Sequence, residues 1–304
     1  TAMEMMGFPL EVELKKLGSN INSEHQDYAP NIDAEGEYLY FTSRRPEGTG
    51  GYTDQEDQYF EDVFISRCIE GAWTVAAPLD GPINADGHDA NVNFSASGNA
   101  MIIYRTHKNL YSGDLYISER HKGGWTEPEL MSSDINTTQY HEPSAAFSAD
   151  ENSIYVVSDR PGGYGGKDIY VIRKLPNGEW GLPKNLGKNI NSVFDEDAPF
   201  LALDGRTLYF SSTGRLSIGG YDIFCAKLNE RDEWAEPEHL GFPINTISDD
   251  IYFSLTADGK RGFLSSSRDK DMDIYEVNML YETDDIVVVR GFIKDANTQE
   301  IVLA

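Results

Sequence analysis

Positive charge is scarce in this chain. Its 304 residues carry 25 Lys and Arg against 51 Asp and Glu, a formal net charge of −26 at pH 7. A surface of that sign repels phosphate backbones and anionic lipid, so nucleic acid and a bare membrane surface are not expected partners. The charge suits solubility first and a basic partner second. Helical periodicity is scarce too: no apolar pattern at 3.6-residue spacing outlasts about ten residues, which excludes a helical bundle. No run approaches the ~18 apolar residues that a membrane-spanning helix needs. Only two cysteines occur, Cys68 and Cys225. They fall in the first and fourth copies of a repeat, on units too far apart for a disulfide, whose Cα atoms lie within about 7 Å. Both are expected to be free thiols, and neither indicates a redox compartment.

Aromatic residues, by contrast, are plentiful at 12%, as suits pleated sheets. They sit within a repeat. One copy runs from Glu196 through Leu203-Asp204-Gly205, Thr207-Leu-Tyr-Phe-Ser-Ser212 and Gly219-Gly-Tyr-Asp-Ile-Phe224 to Trp234 and Leu240-Gly241. That is four strand signals separated by turn signals. The Asp opening the third strand recurs at Asp62, Asp114, Asp168, Asp222 and Asp273, in steps of 52, 54, 54 and 51 residues. Ile-Asn recurs at Ile21-Asn22, Ile83-Asn84, Ile135-Asn136, Ile190-Asn191 and Ile244-Asn245. An acid follows each Asn by five or six residues: Asp27, Asp89, Glu142, Glu196 and Asp250. Trp73, Trp125, Trp180 and Trp234 keep the same register and read as packing residues between units. Four strands per ~50 residues is the scale of a propeller blade.

The fifth copy, Asp250 to Val277, lacks the Trp and the outer strand, while residues 10–17 form a strand signal with no blade before it. Pairing that strand beside 273–277 closes the ring and protects both edges. The fold class expected is therefore all-β, a five-bladed propeller over residues 10–285; a sixth blade would need residues beyond this sequence. Residues 286–304 break the period and read as the start of a small β-sandwich. With its opening Thr1-Ala2-Met3, the chain reads as part of a longer protein.

The candidate chemistry is sparse. The glycine pairs of Gly162-Gly-Tyr-Gly-Gly166 and Gly219-Gly220 precede strands rather than helices, so tight turns explain them and phosphate binding is not expected. His88 and His141 share a repeat position, which allows a metal or acid–base pair, but a hydrogen-bonded turn is the plainer reading. The 18-residue loop Arg44–Glu61 is longer than its four counterparts and acidic, yet lacks a calcium-loop order of ligands. No nucleophile elbow is present. Paired carboxylates across a funnel, as glycosidases use, remain open. The Asp opening each third strand is expected to accept backbone N–H groups of its turn. No catalytic residue, metal site or cofactor is assigned. The partner-binding candidates are Asp27, Asp89, Glu142, Glu196 and Asp250. Each precedes an innermost strand, so five carboxylates are expected around one channel mouth, with the repeated Asn residues as amide donors nearby. There they would attract a basic peptide or a cation; the alternative is that each acid bonds its own turn.

Asp-x-Ala-Pro, Asp-Gly-x-x-Leu-Tyr-Phe-Ser-Ser, Ser-Asp-Arg-Pro-Gly-Gly, Gly-Gly-x-Asp-Ile-Tyr and Trp-x-x-Pro-x-x-Leu-Gly-x-x-Ile-Asn together resemble the WD40-like (PD40) repeats of OmpA-family envelope proteins. Val289-Arg-Gly-Phe-Ile-Lys-Asp-Ala-Asn-Thr-Gln-Glu300 is similar to the start of the carboxypeptidase-regulatory-like sandwich that follows the propeller in that family. The resemblance implies a periplasmic, non-enzymatic scaffold linked to type IX secretion. It would be anchored at the outer membrane in the full-length protein, with envelope or secretion-system proteins as partners. Peptidoglycan would be reached only through an OmpA domain that these residues do not include. The reading from another class is a glycan-binding or glycan-cleaving propeller.

Overall fold

A computed structural model describes residues 11–49, 52–54, 57–107 and 112–280. The described residues form strands and turns without a helix, arranged as five antiparallel sheets. The first blade pairs Asp27–Ile32, Tyr38–Ser43 and Asp62–Ile69 in order, with Ala72–Trp73 and Ala77–Pro78 outermost. Four more blades repeat the scheme, their innermost strands being Asp89–Phe94, Ala145–Phe147, Glu196–Leu201 and Asp250–Leu255. The expected sandwich start, residues 286–304, lies outside the described residues, as do Gly50, Gly51, Gln55 and Glu56 of the long first-blade loop.

The ring closes as the sequence predicts. Val12–Lys16 pairs antiparallel with Asp273–Met279, setting Val12 opposite Met279 and Lys16 opposite Tyr275. Lys16 Nζ also donates to Asp273 at 2.5 Å. The outer strands differ from expectation. The first blade's outer strand is two short pieces, Ala72–Trp73 and Ala77–Pro78, because Thr74 interrupts it: its Oγ1 accepts Arg67 N–H and its carbonyl accepts Ser66 Oγ. Thr126 does the same in the second blade.

The core lies between blades. Each of five apolar clusters spans two neighbours; the one joining fifth and first blades unites Phe263 and Ile274 with Leu39, Phe41 and Phe64. Every repeated Trp packs toward the preceding blade, as Trp73 does edge-on to Phe263 and Trp234 to Tyr155. This explains the period: no blade buries its own faces, so each repeat must present the same apolar set to the next. Cys68 and Cys225 are free, on the first and fourth blades, and burial pushes the Cys225 thiol up to about 11.

The repeated Asn residues are spent within the fold. Asn22, Asn84, Asn136, Asn191 and Asn245 each accept the backbone N–H, and donate to the carbonyl, of one residue in the preceding third strand: Ile274, Val63, Leu115, Ile169 and Ile223. They are clamps across the connection between blades, not amides offered to a partner.

Candidate functional site

Strand register brings the repeated acids to one end of the molecule. Asp27 pairs with Ser43, which pairs with Asp62; Glu196, Ser212 and Asp222 align likewise. This end carries the turns entering the inner strands and the loops between second and third strands.

The structure brings the five candidate acids to the expected mouth but not to its surface. Asp27, Asp89, Glu196 and Asp250 are fully buried and Glu142 is 2% exposed. Each carboxylate closes its own turn by accepting a backbone N–H: Ser23, Ala85, Thr137, Ser192 and Thr246 are the donors. The other side of each carboxylate faces an arginine: Arg45, Arg105, Arg160, Arg215 and Arg268. Four of these arginines also donate to the Ile carbonyl of the Ile-Asn step: Ile21, Ile83, Ile135 and Ile244. Burial pushes the carboxyls of Asp89, Glu196 and Asp250 up, with the facing arginines pulling the other way. A charge so paired contributes little field outside. The difference from five open carboxylates therefore has a plain cause, an arginine partner per blade that was not identified. Its signal was in the chain: an Arg two residues after Ser43, Ser158 and Ser266, three after Ser212, and in the serine's own place at Arg105.

The acids opening the third strands behave as expected in three blades. Asp62 accepts Thr49 N–H, Asp168 accepts Tyr164 and Gly165 N–H, and Asp222 accepts Ile218 N–H. Among the described residues, Asp114 and Asp273 are partnered by His107 and Lys16. The glycine pairs serve close packing. A Cβ on Gly165 would sit 2.0 Å from the Phe194 carbonyl, and one on Gly219 would sit 2.4 Å from those of Thr246 and Ser248. The loops of the third and fourth blades are thereby pressed onto the entry turns of the fourth and fifth.

Those pressed loops and turns carry large apolar side chains outward. Tyr164, Val193, Phe194, Leu216 and Ile247 are 51, 76, 49, 86 and 78% exposed. Leu216 and its neighbour Arg215 both hold positive φ, 69° and 56°. That conformation is costly for a branched side chain and is kept only where the surroundings impose it. The result is an apolar crest over blades three to five.

Inside the mouth, a cavity of about 180 Å³ is walled by inner-strand residues of all five blades, among them Tyr28, Asn91, Ala145, Phe200 and Tyr252. Glu61 at its edge takes hydrogen bonds from Tyr28 and Arg44 and faces His88. Burial pushes Glu61 up, but His88, Arg44 and Tyr28 together bring it down to about 2. At the third and fourth blades, Asp197 pairs with Lys167 and accepts Ser144 Oγ. His141 meets the Tyr104 hydroxyl at 3.0 Å, so the two repeated histidines have separate partners, both hydrogen-bonded. In the sequence Glu61 is one of the acids of the long first-blade loop and Asp197 a neighbour of Glu196 adding to the acidic field; neither recurs at its repeat position, so the repeat does not mark them as a site.

No protein-family model and no curated protein matches the sequence. Among solved structures, the chain is similar to a putative glycosidase from Bacteroides thetaiotaomicron, at TM-score 0.55 and 8% identity over 89% of this chain and 97% of that one. It is similar to an endo-arabinase from the same organism at TM-score 0.53 and 15% identity, over 89% and 99% of the two chains. TolB from Acinetobacter baumannii superimposes at TM-score 0.46 and 16% identity, over 85% of this chain. The chain spans 56% of that protein's length. At these identities the likeness to the glycosidase and the arabinase is one of fold, the β-propeller.

Proposed function

We propose that this chain is a non-catalytic docking and scaffold module of a cell-envelope assembly. In this reading it belongs to a longer PorE-like, peptidoglycan-associated lipoprotein of the type IX secretion system. It sits in the periplasm, with the outer-membrane anchor and the cell-wall contact supplied by other parts of that protein. The repeat motifs support the setting. The crest of Tyr164, Val193, Phe194, Leu216 and Ile247 carries the docking claim. Apolar side chains gathered on one face mark an interaction surface, and close-packed glycines hold these in place at a cost in strain.

Residues 192–280, which form the fourth blade, most of the fifth and their entry turns, hold 17 acids against 8 bases. The partner segment that fits is therefore apolar with flanking Lys or Arg. The five buried acids contribute as positioning residues. Glu196 fixes the turn that carries Val193 and Phe194, and Asp250 fixes the one that carries Ile247. Capture of envelope proteins by the propeller, compared with a Phe194→Asp/Leu216→Asp/Ile247→Asp variant of unchanged melting temperature, tests the reading. Equal capture by both proteins would contradict it.

A glycan-cleaving reading draws on the glycosidase and arabinase that share the fold. Glycoside hydrolysis needs one carboxyl that stays protonated to serve as acid. Glu61, the carboxyl lining the cavity, is brought down to about 2 and is a poor proton donor; Asp197 is held by Lys167, and Asp62, whose carboxyl burial pushes up to about 7, does not line the cavity. Turnover of arabinan or peptidoglycan fragments by this chain would restore that reading.

A further inference from the structure

A second surface adjoins the crest at Tyr164 and is otherwise lined by other residues. Between the third and fourth blades an open groove of about 830 Å³ runs along the outer strands. Arg173, Lys184, Lys188 and Tyr155 of the third-blade side line it together with Asp232, Glu233 and Trp234 of the fourth blade.

Three observations separate this groove from the rest of the molecule. The first is charge. Residues 142–191 balance six acids (Glu142, Asp150, Glu151, Asp159, Asp168, Glu179) with six bases (Arg160, Lys167, Arg173, Lys174, Lys184, Lys188), in a chain whose net charge is −26. The excess is placed, not scattered. Strand register puts Lys184 opposite Val171, the slot filled by Glu129 opposite Ile117 and by Glu238 opposite Cys225 in the neighbouring blades.

The second is pairing. Most arginines of the described blades are tied to carboxylates, whereas Arg173, Lys184 and Lys188 form no ion pair with any described residue. Asp232 across the groove is itself held by Arg206 at 3.3 Å.

The third is the indole. Arg261 lies over Trp73, Arg120 over Trp125 and Lys174 over Trp180. Among the described residues no cation covers Trp234, which is half-buried and meets the Tyr155 ring nearly at right angles.

We propose that this groove binds a carboxylate-bearing glycan segment. The half-buried indole offers an apolar face for a sugar ring. The three free cations take the carboxylates by charge-assisted hydrogen bonds. Asp232 and Glu233 accept from sugar hydroxyls, which a run of acidic side chains does not supply. The volume suits an oligosaccharide rather than one sugar. The groove shares Tyr164 with the crest, but Lys184 and Lys188 are not crest residues and Phe194, Leu216 and Ile247 do not line the groove, so either reading can fail alone.

The test is calorimetric titration of the whole chain at low salt with trigalacturonate, its fully methyl-esterified form and hexaglutamate. Trigalacturonate is expected to bind. The neutral ester should bind about tenfold or more weakly, and raised ionic strength should weaken the acid form as the Debye length shortens. Lys184→Gln/Lys188→Gln should lose about tenfold or more with the melting temperature unchanged, and Lys184→Arg/Lys188→Arg should retain binding. Absence of binding at millimolar trigalacturonate, or unchanged binding by the Gln pair, overturns the proposal. Hexaglutamate binding as tightly as trigalacturonate overturns the glycan in favour of an acidic peptide.

Discussion

The buried acid–arginine ring and the exposed crest lie within a few residues of each other, yet they are built on opposite principles. The ring is the same in every blade: an acid, its turn N–H and an arginine, from Asp27 with Arg45 round to Asp250 with Arg268. The crest belongs to three blades only, and its residues differ from one turn to the next: Val193-Phe194 in one, Ile247 in another. What repeats in a propeller answers a need that every blade has, namely closing its entry turn and docking on its neighbour. What departs from the repeat is free of that need. The same contrast separates Lys184 from Glu129 and Glu238, which share its slot.

The largest effect that can break this comparison lies in the ring. Arg268→Met leaves Asp250 buried without its cation, and the loss expected is about 3–5 kcal/mol of stability, read by denaturant unfolding. A change below about 1 kcal/mol would remove the ring from its structural role. Next comes a clamp. Asn245→Ala takes away bonds to both backbone groups of Ile223, for an expected cost of about 2–3 kcal/mol. Asn84→Ala, making the same contacts to Val63 in another blade, should match it if the clamps are equivalent.

A smaller effect depends on pH. Burial pushes the Asp62 carboxyl up to about 7, and the Thr49 N–H pulls the other way. Its folded value is above its unfolded one, so its contribution is complete below about pH 4 and is lost as pH rises through about 7. Asp62→Asn should therefore gain on the parent by about 1 kcal/mol at pH 8 and gain little at pH 5. A gain of equal size at both pH values would show that titration of Asp62 is not the cause. Smallest of all, Leu216→Ser on the crest should leave unfolding within about 0.5 kcal/mol of the parent, as an exposed side chain does.

Much of the architecture was legible because the period itself is physical. Five Asp-Ile-Tyr-like steps, five Ile-Asn steps and an orphan strand at residues 10–17 suffice to count blades and close the ring. The acids were legible as a ring but not as a buried one. Exposure is decided by the partner, and the arginines sit at an offset that shifts by one at Arg215 and by two at Arg105, which blurs them as a repeat. The crest was hidden for a different reason. Val193, Phe194 and Ile247 look like ordinary strand residues until the glycines that hold their turns outward are seen against them. Glu61 and Lys167 occupy one repeat position with opposite charges, so a search for what recurs passes over both.

The central claim is that the ring holds the mouth and the crest meets the partner. One paired measurement tests it most directly: affinity for the captured envelope partner and melting temperature, on Phe194→Asp/Leu216→Asp/Ile247→Asp and on Asp250→Asn. The crest variant should lose about tenfold or more in affinity with its melting temperature within about 1 °C of the parent. Asp250→Asn should melt several degrees lower and, because it loosens the turn that carries Ile247, lose only part of the affinity. A crest variant that binds normally, or an Asp250→Asn protein that melts normally and loses the partner, would contradict the account.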